Sequence, residues 1–366
     1  MIGLAQQLVE CESPSGNGAA IARFVELVAD TFAPYGEIRT CSGGNYGPHL
    51  ICAARLPGLR TNPNPILVLG HSDTVWPLGT LRQMPFRCED GRLWGPGVFD
   101  MKAGIVFFRF ALEALKELEI PLASPVRLQL NSDEEVGSPT SRALTEANAA
   151  ASRAVLVLEP GTGPKGKLKT ARKGVGQYRI LVRGKAAHAG LDFQTGASAT
   201  LELARQLDRI AGFTNLERGI TVNPGVIAGG TRPNVVAAEA WAEIDVRIQR
   251  PEDAVMLDEM FHALSPCNAR CAIEVSGGLN RPPMPRSQGT IELFEVAQRC
   301  ARELGIELDE SSSGGGSDGN FTAAMGIPTL DGLGAVGEGA HAINESILIN
   351  RMADRTALLA KLLAEL

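Results

Sequence analysis

The spacing of apolar residues changes several times along the first 160 positions, and each change marks an element. Leu4, Leu8, Ile21, Phe24, Val25 and Val28 recur at helical spacing over 4–31, broken near Ser13 and Gly16. The runs 49–56 and 65–75 are nearly continuous in apolar residues, the pattern of strands buried on both faces. KAGIVFFRFALEALKELEI (102–120) predicts a helix that Pro121 stops. A strand (VRLQLNSDEE), a short helix (SRALTEANAAA) and another strand (AVLVLEP) continue the alternation. Alternating strands and helices with double-sided apolar strands predict an α/β fold, a mostly parallel sheet with helices on both faces.

After residue 170 the texture changes. KTARKGVGQYRILVRG alternates with the two-residue period of a half-buried strand. A helix (SATLELARQLDRIAGF), two strands (GITVNPGVIAGG, WAEIDVRIQR), a second helix (PEDAVMLDEMFHAL) and a last strand (RCAIEVSGG) follow. These four strands and two helices make a compact α+β unit. From Thr290 the pattern returns to a helix, a Gly-rich loop opening a helix at Ser317, a short strand and a C-terminal helix. The reading is a domain at 172–282 inserted into a discontinuous one made of 1–171 and 283–366. A chain of 366 residues has room for both.

Composition narrows the function. With 44% hydrophobic and 21% charged residues the chain is neither disordered nor fibrous. A net charge of −6 without a long basic run argues against nucleic acid as a partner. No apolar stretch suits a membrane span, and the opening MIGLAQQLVECESPSG lacks the basic and apolar regions of a signal peptide. The seven cysteines (11, 41, 52, 88, 267, 271, 300) show no CxxC spacing, so the expectation is a reducing compartment, the cytoplasm, and no contact with a membrane.

Candidate chemistry collects at strand ends. His71 and Asp73 close one apolar strand, Glu134 and Glu135 a second, and Glu159 a third, while Asp100 lies in a Gly-Pro-rich turn before the long helix. Carboxyl ends of strands are where open α/β sheets bind ligands. Acids gathered there repel one another unless a cation neutralises them, and imidazole with carboxylates suits zinc, two ions if one carboxylate bridges. His341, in GEGAHAINES, is a further candidate ligand. Of the five histidines, His49 at a strand start and His262 on the apolar face of a helix read as structural; His71, His188 and His341 lie in small-residue loops.

GHSDTV, GPGVFDMKAG, SDEEVGS, LEPG, GKAAHAG, GGGSDGNF and GAHA, in this order and spacing, resemble the dizinc aminoacylase/carboxypeptidase G family, which includes glutamate carboxypeptidases, acetylornithine deacetylase and succinyl-diaminopimelate desuccinylase. The resemblance covers nearly the whole chain and is nearest to the carboxypeptidase G branch. It implies that 1–171 with 283–366 is a dizinc catalytic domain and that 172–282 is a lid and dimerisation domain. Asp100 would bridge two zinc ions (cobalt or manganese as substitutes), with His71 and Glu159 on one and Glu135 and His341 on the other. Asp73 would hold the His71 imidazole in its ligating tautomer. Glu134 would be the general base, and a distortion at the strand end must let both it and Glu135 reach the site, since adjacent strand residues face opposite ways. His188 would stabilise the oxyanion in the active site of the partner subunit of a homodimer. Asn234 and Arg247 match the family's substrate-binding pair, Lys167 and Arg281 its basic residues near bound substrate. Gly315 and Gly316, within the loop 314–316 ahead of Ser317, offer amides to an anion. Two departures bear on this reading: Met101 stands where the branch often has a second Asp, and Arg172–Lys173 is more positive than in that branch.

The function this implies is hydrolysis of the amide bond in a small peptide or N-acyl amino acid with a free carboxylate, releasing C-terminal glutamate or aspartate. An N-acyl amino acid deacylase of the acetylornithine deacetylase/desuccinylase type is the alternative, and a non-catalytic peptide-binding relative a third reading. GTGPKG with Lys167 also satisfies GxGxxG and approaches a phosphate-binding loop, so a nucleotide-binding protein acting through Gly161–Lys167 is the rival from another class. That rival needs a hydroxyl where Leu168 stands and a helix directly after the loop.

Overall fold

The computed structural model describes residues 1–58 and 61–366. Its central sheet runs in the order Gly36–Ser42, Pro48–Ala54, Val126–Asn131, Ile66–His71, Ala154–Val157, Thr329–Leu330. The last four are mutually parallel, while Pro48–Ala54 is antiparallel to Val126–Asn131 and Gly36–Ser42 antiparallel to Pro48–Ala54. The sheet is therefore mixed but mostly parallel. The short 43–47 turn allows only an antiparallel return, because a parallel one needs a crossover of a dozen or more residues.

Burial explains the unbroken apolar strands. In Ile66–His71, Ile66 and Val68 join a core with Phe24, Phe107, Phe108 and Leu359. Leu67 and Leu69 join a second cluster with Val155 and Val157. Successive side chains leave a strand on opposite faces, so both faces must be covered. The first helical stretch is two helices, Ile2–Glu10 and Gly18–Phe32, and Asn17 caps the second by accepting from the Ala20 amide (3.1 Å). The long helix spans Ala103–Glu117 and packs on the C-terminal helix Met352–Glu365. It ends short of Pro121, after which Glu119 takes a φ of 52°. Truncating Phe107 or Leu359, both buried, would cost about 2–5 kcal/mol.

Contacts divide the chain into two units: Met1–Ala171 with Met284–Ser313 and Ser317–Leu366, and Arg172–Pro283 with Gly314–Gly316. The smaller has an antiparallel sheet in the order Thr221–Gly229, Glu239–Ile248, Gly174–Arg183, Ala272–Arg281. Helices Ala199–Ala211 and Glu252–His262 pack on it, and its core includes Tyr178 stacked on Phe261 with ring centroids 3.9 Å apart.

Four details differ from the pattern in the sequence. KTARKGVGQYRILVRG is two strands, because Leu168–Arg172 leaves the main alternation to form a separate two-stranded sheet with Glu310–Ser313. The helix expected at Ser317 is the short Gly319–Ala324; the Ser317 hydroxyl accepts from the Gly319 amide and caps the helix from outside. A small sheet of Gly337–Glu338, Ser346–Leu348, Arg92–Trp94 and Arg87–Glu89 was not foreseen, since strands this short carry no readable period. His262 lies on an exposed turn of its helix, 3.6 Å from Asp258, and not on the apolar face. Among the described residues no helix is long and apolar enough to cross a membrane.

Candidate active site

The ends of three parallel strands and two loops bring six side chains of the larger unit together. His71 closes the strand Ile66–His71 and is buried. Its Nδ1 lies 2.8 Å from the carbonyl oxygen of Asp73, which can only accept, so Nδ1 carries a proton and Nε2 is the nitrogen that the neutral ring would offer to an ion. That Nε2 is 3.2 Å from Asp100 Oδ1 and 3.4 Å from Glu159 Oε1. On the other side, His341 Nε2 is 3.4 Å from Asp100 Oδ2 and 3.2 Å from Glu135 Oε2. Asp100 thus offers one oxygen to each imidazole. Donor atoms of His71, Asp100 and Glu135, and of His71, Glu134 and Glu159, fall within 4.8 Å of one another. His341 reaches its place with a φ of 62°, in the left-handed region that costs a non-glycine residue about 1 kcal/mol.

The adjacent acids Glu134 and Glu135 both reach this cluster because the chain leaves the strand there. Val126–Asn131 ends, and Glu134–Val136 forms a 3-10 turn closed by Gly137, whose φ of 95° favours glycine. The Asp73 carboxylate holds the turn: Oδ1 accepts from the Glu134 amide (3.1 Å), Oδ2 from the Glu135 amide (3.2 Å) and the Ser15 hydroxyl (2.7 Å). The expected hold of Asp73 on the imidazole is exercised mainly by its carbonyl, the carboxylate standing 3.5 Å from Nδ1.

Electrostatics shows what the cluster lacks. Burial opposes charge on His71, but Asp100, Asp73 and Glu159 outweigh it and raise its pKa well above the ordinary imidazole value. Contacts with Asp100 and Glu135 push His341 up to about 10. Burial favours the neutral acid at Asp100, yet the two imidazoles hold it well below the usual carboxylate range; burial raises Glu135. The protons drawn onto both imidazoles do the work of cations among four carboxylates. Glu135 Oε1 is buried with no hydrogen-bond partner. Two imidazole nitrogens that would present lone pairs once an ion displaced those protons, a carboxylate placed between them and an unpartnered buried carboxylate oxygen are a donor set that fits divalent metal ions.

Sequence reasoning missed Glu345. It is buried, and burial raises its pKa although it accepts from the amides of Gly97, Phe99 and Asp100 and the indole of Trp76. Its only signal in the sequence was an acid four residues after a candidate histidine. Asp318 was passed over too: it accepts from Asn131 and Ser138, bracing the turn that carries Glu134 and Glu135.

The remaining candidates fall elsewhere. Lys167 pairs with Asp309 (3.4 Å). The loop before it closes through a Thr162–Lys167 bridge and continues as the strand Leu168–Arg172, with no helix to hold phosphates. The Gly166 carbonyl is an acceptor for the buried Arg355, which also donates to Gly332 and Gly334. GTGPKG is thus a structural turn, and the nucleotide-binding reading is discarded.

In the smaller unit, His188 is exposed, and its Nδ1 accepts from the amides of Gly190 and Leu191 (both 3.1 Å). The proton therefore sits on Nε2, which faces outward as a donor. Asn234 is its neighbour, because His188 bridges to Val235 and the Asn234 carbonyl accepts from the Ala189 amide. The Arg247 guanidinium is engaged side-on by Asp245, Nε to Oδ2 at 2.8 Å and Nη2 to Oδ1 at 2.9 Å, and donates from Nη1 to the Gly314 carbonyl (3.3 Å). Arg172 donates to the carbonyls of Gly315 and Gly316. The loop 314–316 therefore presents carbonyls to guanidinium groups, while the Ser317 and Gly319 amides that follow it are capped by Asn320 and Ser317. Arg281 is buried, with Nη1 on Asn280 Oδ1 (3.1 Å).

The sequence pattern of peptidase family M20/M25/M40 matches residues 67–365. Carboxypeptidase G2 of Pseudomonas sp. (strain RS-16) is 30% identical over 307 residues, 82% of this chain and 74% of that protein. Succinyl-diaminopimelate desuccinylase of Acidovorax ebreus (strain TPSY) is 27% identical over 372 residues, 94% of this chain and 92% of that protein. The crystal structure of aminopeptidase PepT from Bacillus cereus superposes with a TM-score of 0.81, at 24% identity over 100% of this chain and 97% of that one, a likeness of fold alone.

Proposed function

The chain belongs to peptidase family M20/M25/M40, a metal-dependent hydrolase family, and from that premise we propose a dizinc amidohydrolase that cleaves peptidyl or N-acyl amino acids bearing a free carboxylate and releases C-terminal glutamate or aspartate. The coarser statement stands on membership and relatives: the chain is a hydrolase of the carboxypeptidase or desuccinylase type. One observation carries the dinuclear reading: the Asp100 carboxylate has one oxygen toward His71 and the other toward His341. His71, Glu159 and Asp100 would hold one ion and His341, Glu135 and Asp100 the other. The bound ions would supply a Lewis acid for the scissile carbonyl and acidify the attacking water.

The chain's own residues do the rest. Glu134 takes a proton from the attacking water as its oxygen bonds to the carbonyl carbon, then gives that proton to the amine nitrogen as the C–N bond breaks. The Nε2–H of His188 donates to the developing oxyanion. Arg247, its plane fixed by Asp245, pairs with the substrate carboxylate, with Asn234 beside His188 as a further polar contact. In the homodimer that the family resemblance implies, His188 serves the partner's site. Exposed Leu191, Phe193, Leu201, Val226 and Ile227 in the smaller unit support such an apolar interface.

The test pairs metal analysis of the purified protein with hydrolysis of a panel of N-acyl and N-aroyl amino acids. Two zinc equivalents and cleavage of glutamate or aspartate conjugates are the expected outcome. Two equivalents with cleavage of N-acetyl or N-succinyl amino acids alone would move the enzyme to the deacylase side, a reading that the near full-length match to the desuccinylase favours. No metal and no hydrolysis after zinc reconstitution would overturn the proposal.

A further inference from the structure

The turn that carries Asp100 has backbone geometry that its own helix does not satisfy. Val98–Lys102 is a wide turn in which Asp100 (φ −114°, ψ 94°) and Met101 (φ −132°, ψ 29°) are not helical. Its amides need an acceptor from elsewhere, since a buried N–H without one is costly. Glu345 is that acceptor. Its Oε1 accepts from the amides of Phe99 (2.9 Å) and Asp100 (3.0 Å), and its Oε2 from the Gly97 amide (2.9 Å) and Trp76 Nε1 (2.7 Å).

We propose that Glu345 is the positioning residue of the metal centre, holding the backbone of 97–100 so that the Asp100 carboxylate lies between His71 and His341. The proposal rests on the reading of Asp100 as a metal ligand. Three features carry it. Four donors converge on one side chain that is only 1% exposed, and only a carboxylate has acceptor sites for all of them. A glutamine would turn an NH2 group toward two N–H donors. The contacts also join three ligand-bearing segments: Trp76 follows His71 and Asp73, the amides belong to the Asp100 turn, and Glu345 sits in the loop of His341. That loop is tied in by the Glu345 amide donating to the Ala342 carbonyl (2.9 Å) and the Gly95 amide donating to the Glu345 carbonyl (3.3 Å). Finally, the buried Glu345 carboxylate, joined to Asp100 through that residue's amide, brings a further negative charge to the turn that carries a ligand, a charge that bound cations offset. Partners of this kind behind a ligand typically govern metal affinity.

The test titrates zinc into metal-free Glu345→Gln, Glu345→Asp and Asp100→Asn proteins by calorimetry and records the visible spectrum of each loaded with cobalt. Folding is checked by circular dichroism. Folded Glu345→Gln is expected to bind zinc ~10–100-fold more weakly than the unaltered chain and to show a changed cobalt spectrum. Should it not fold, Glu345→Asp, whose carboxylate falls one methylene short of the same amides, is expected to show the same loss. Unchanged zinc affinity and an unchanged cobalt spectrum in a folded Glu345 variant would overturn the proposal, even with a lowered Tm. If Asp100→Asn loses metal while the Glu345 variants keep it, only the role of Glu345 falls. Asp100→Asn with full metal binding would bring down the reading beneath it as well.

Discussion

The polar residues of the two units are held in opposite ways. Around Asp100, contacts join segments far apart in the chain, and the side chains are mostly buried: His71 meets Asp100 and Glu159, His341 meets Asp100 and Glu135, and Asp73 grips the turn at Glu134. In the smaller unit the holding contacts are mostly local and solvent-exposed, the reach of Arg247 to the Gly314 carbonyl being a longer one. His188 is set by amides two and three residues on, and Arg247 by the carboxylate two residues back. The first arrangement concentrates charge, which becomes tolerable only with protons or cations among the carboxylates. The second merely orients a donor and a guanidinium. Substitutions in the first should therefore alter metal binding or the chemical step, and substitutions in the second should alter turnover or substrate affinity while metal content stays intact.

The largest expected effect is at Glu134, which belongs to the cluster yet acts on protons. Glu134→Gln should keep both metals and lose ~10³-fold or more in kcat. A loss of zinc instead, measured by metal analysis, would make Glu134 a ligand and redraw the division. His188→Ala should lower kcat by ~10²–10³-fold, as removal of an oxyanion donor does, with zinc content and Tm unchanged. Near-normal turnover would remove the smaller unit from the chemical step. Arg247→Ala should raise KM for carboxylate-bearing substrates by ~10–100-fold, the worth of a lost charge-assisted contact, and leave their carboxamide analogues unaffected. An equal effect on both substrate types would count against carboxylate recognition.

The smallest effect is one of pH on the metal-free protein. His341 rises from 6.5 to about 10 through Asp100 and Glu135. A group whose folded pKa is raised stabilises fully below its unfolded value, and that contribution disappears as pH climbs through the folded value. Tm of the metal-free protein should therefore fall between pH ~6.5 and ~10, with His71 shifted in the same direction. Zinc should abolish the trend, because it binds the neutral imidazole. A flat metal-free profile would mean that His341 does not engage these carboxylates in solution.

Local chemistry was enough to read much of this protein. Continuous apolar runs specify strands buried on both faces, and the two-residue period of 174–183 marks a half-buried sheet, because side-chain direction is set by the covalent backbone. His71, Asp100, Glu134, Glu135, Glu159 and His341 stood out as acids and imidazoles at strand ends and loops, and the structure brings these six together. The pairing of Asp245 with Arg247 was also within reach, since residues two apart share a strand face. Other features only the tertiary structure decided. They include the antiparallel edge of the central sheet, the small sheet at 87–94 and 337–348, the carbonyls of 314–316 turned to arginines, and the grip of Asp73 and Glu345 on distant amides. Periodicity passes between near neighbours in the chain, whereas satisfying a buried amide or balancing a buried charge depends on which groups meet in space. Glu345 looks like any polar loop acid until the fold carries the amides of 97–100 to it.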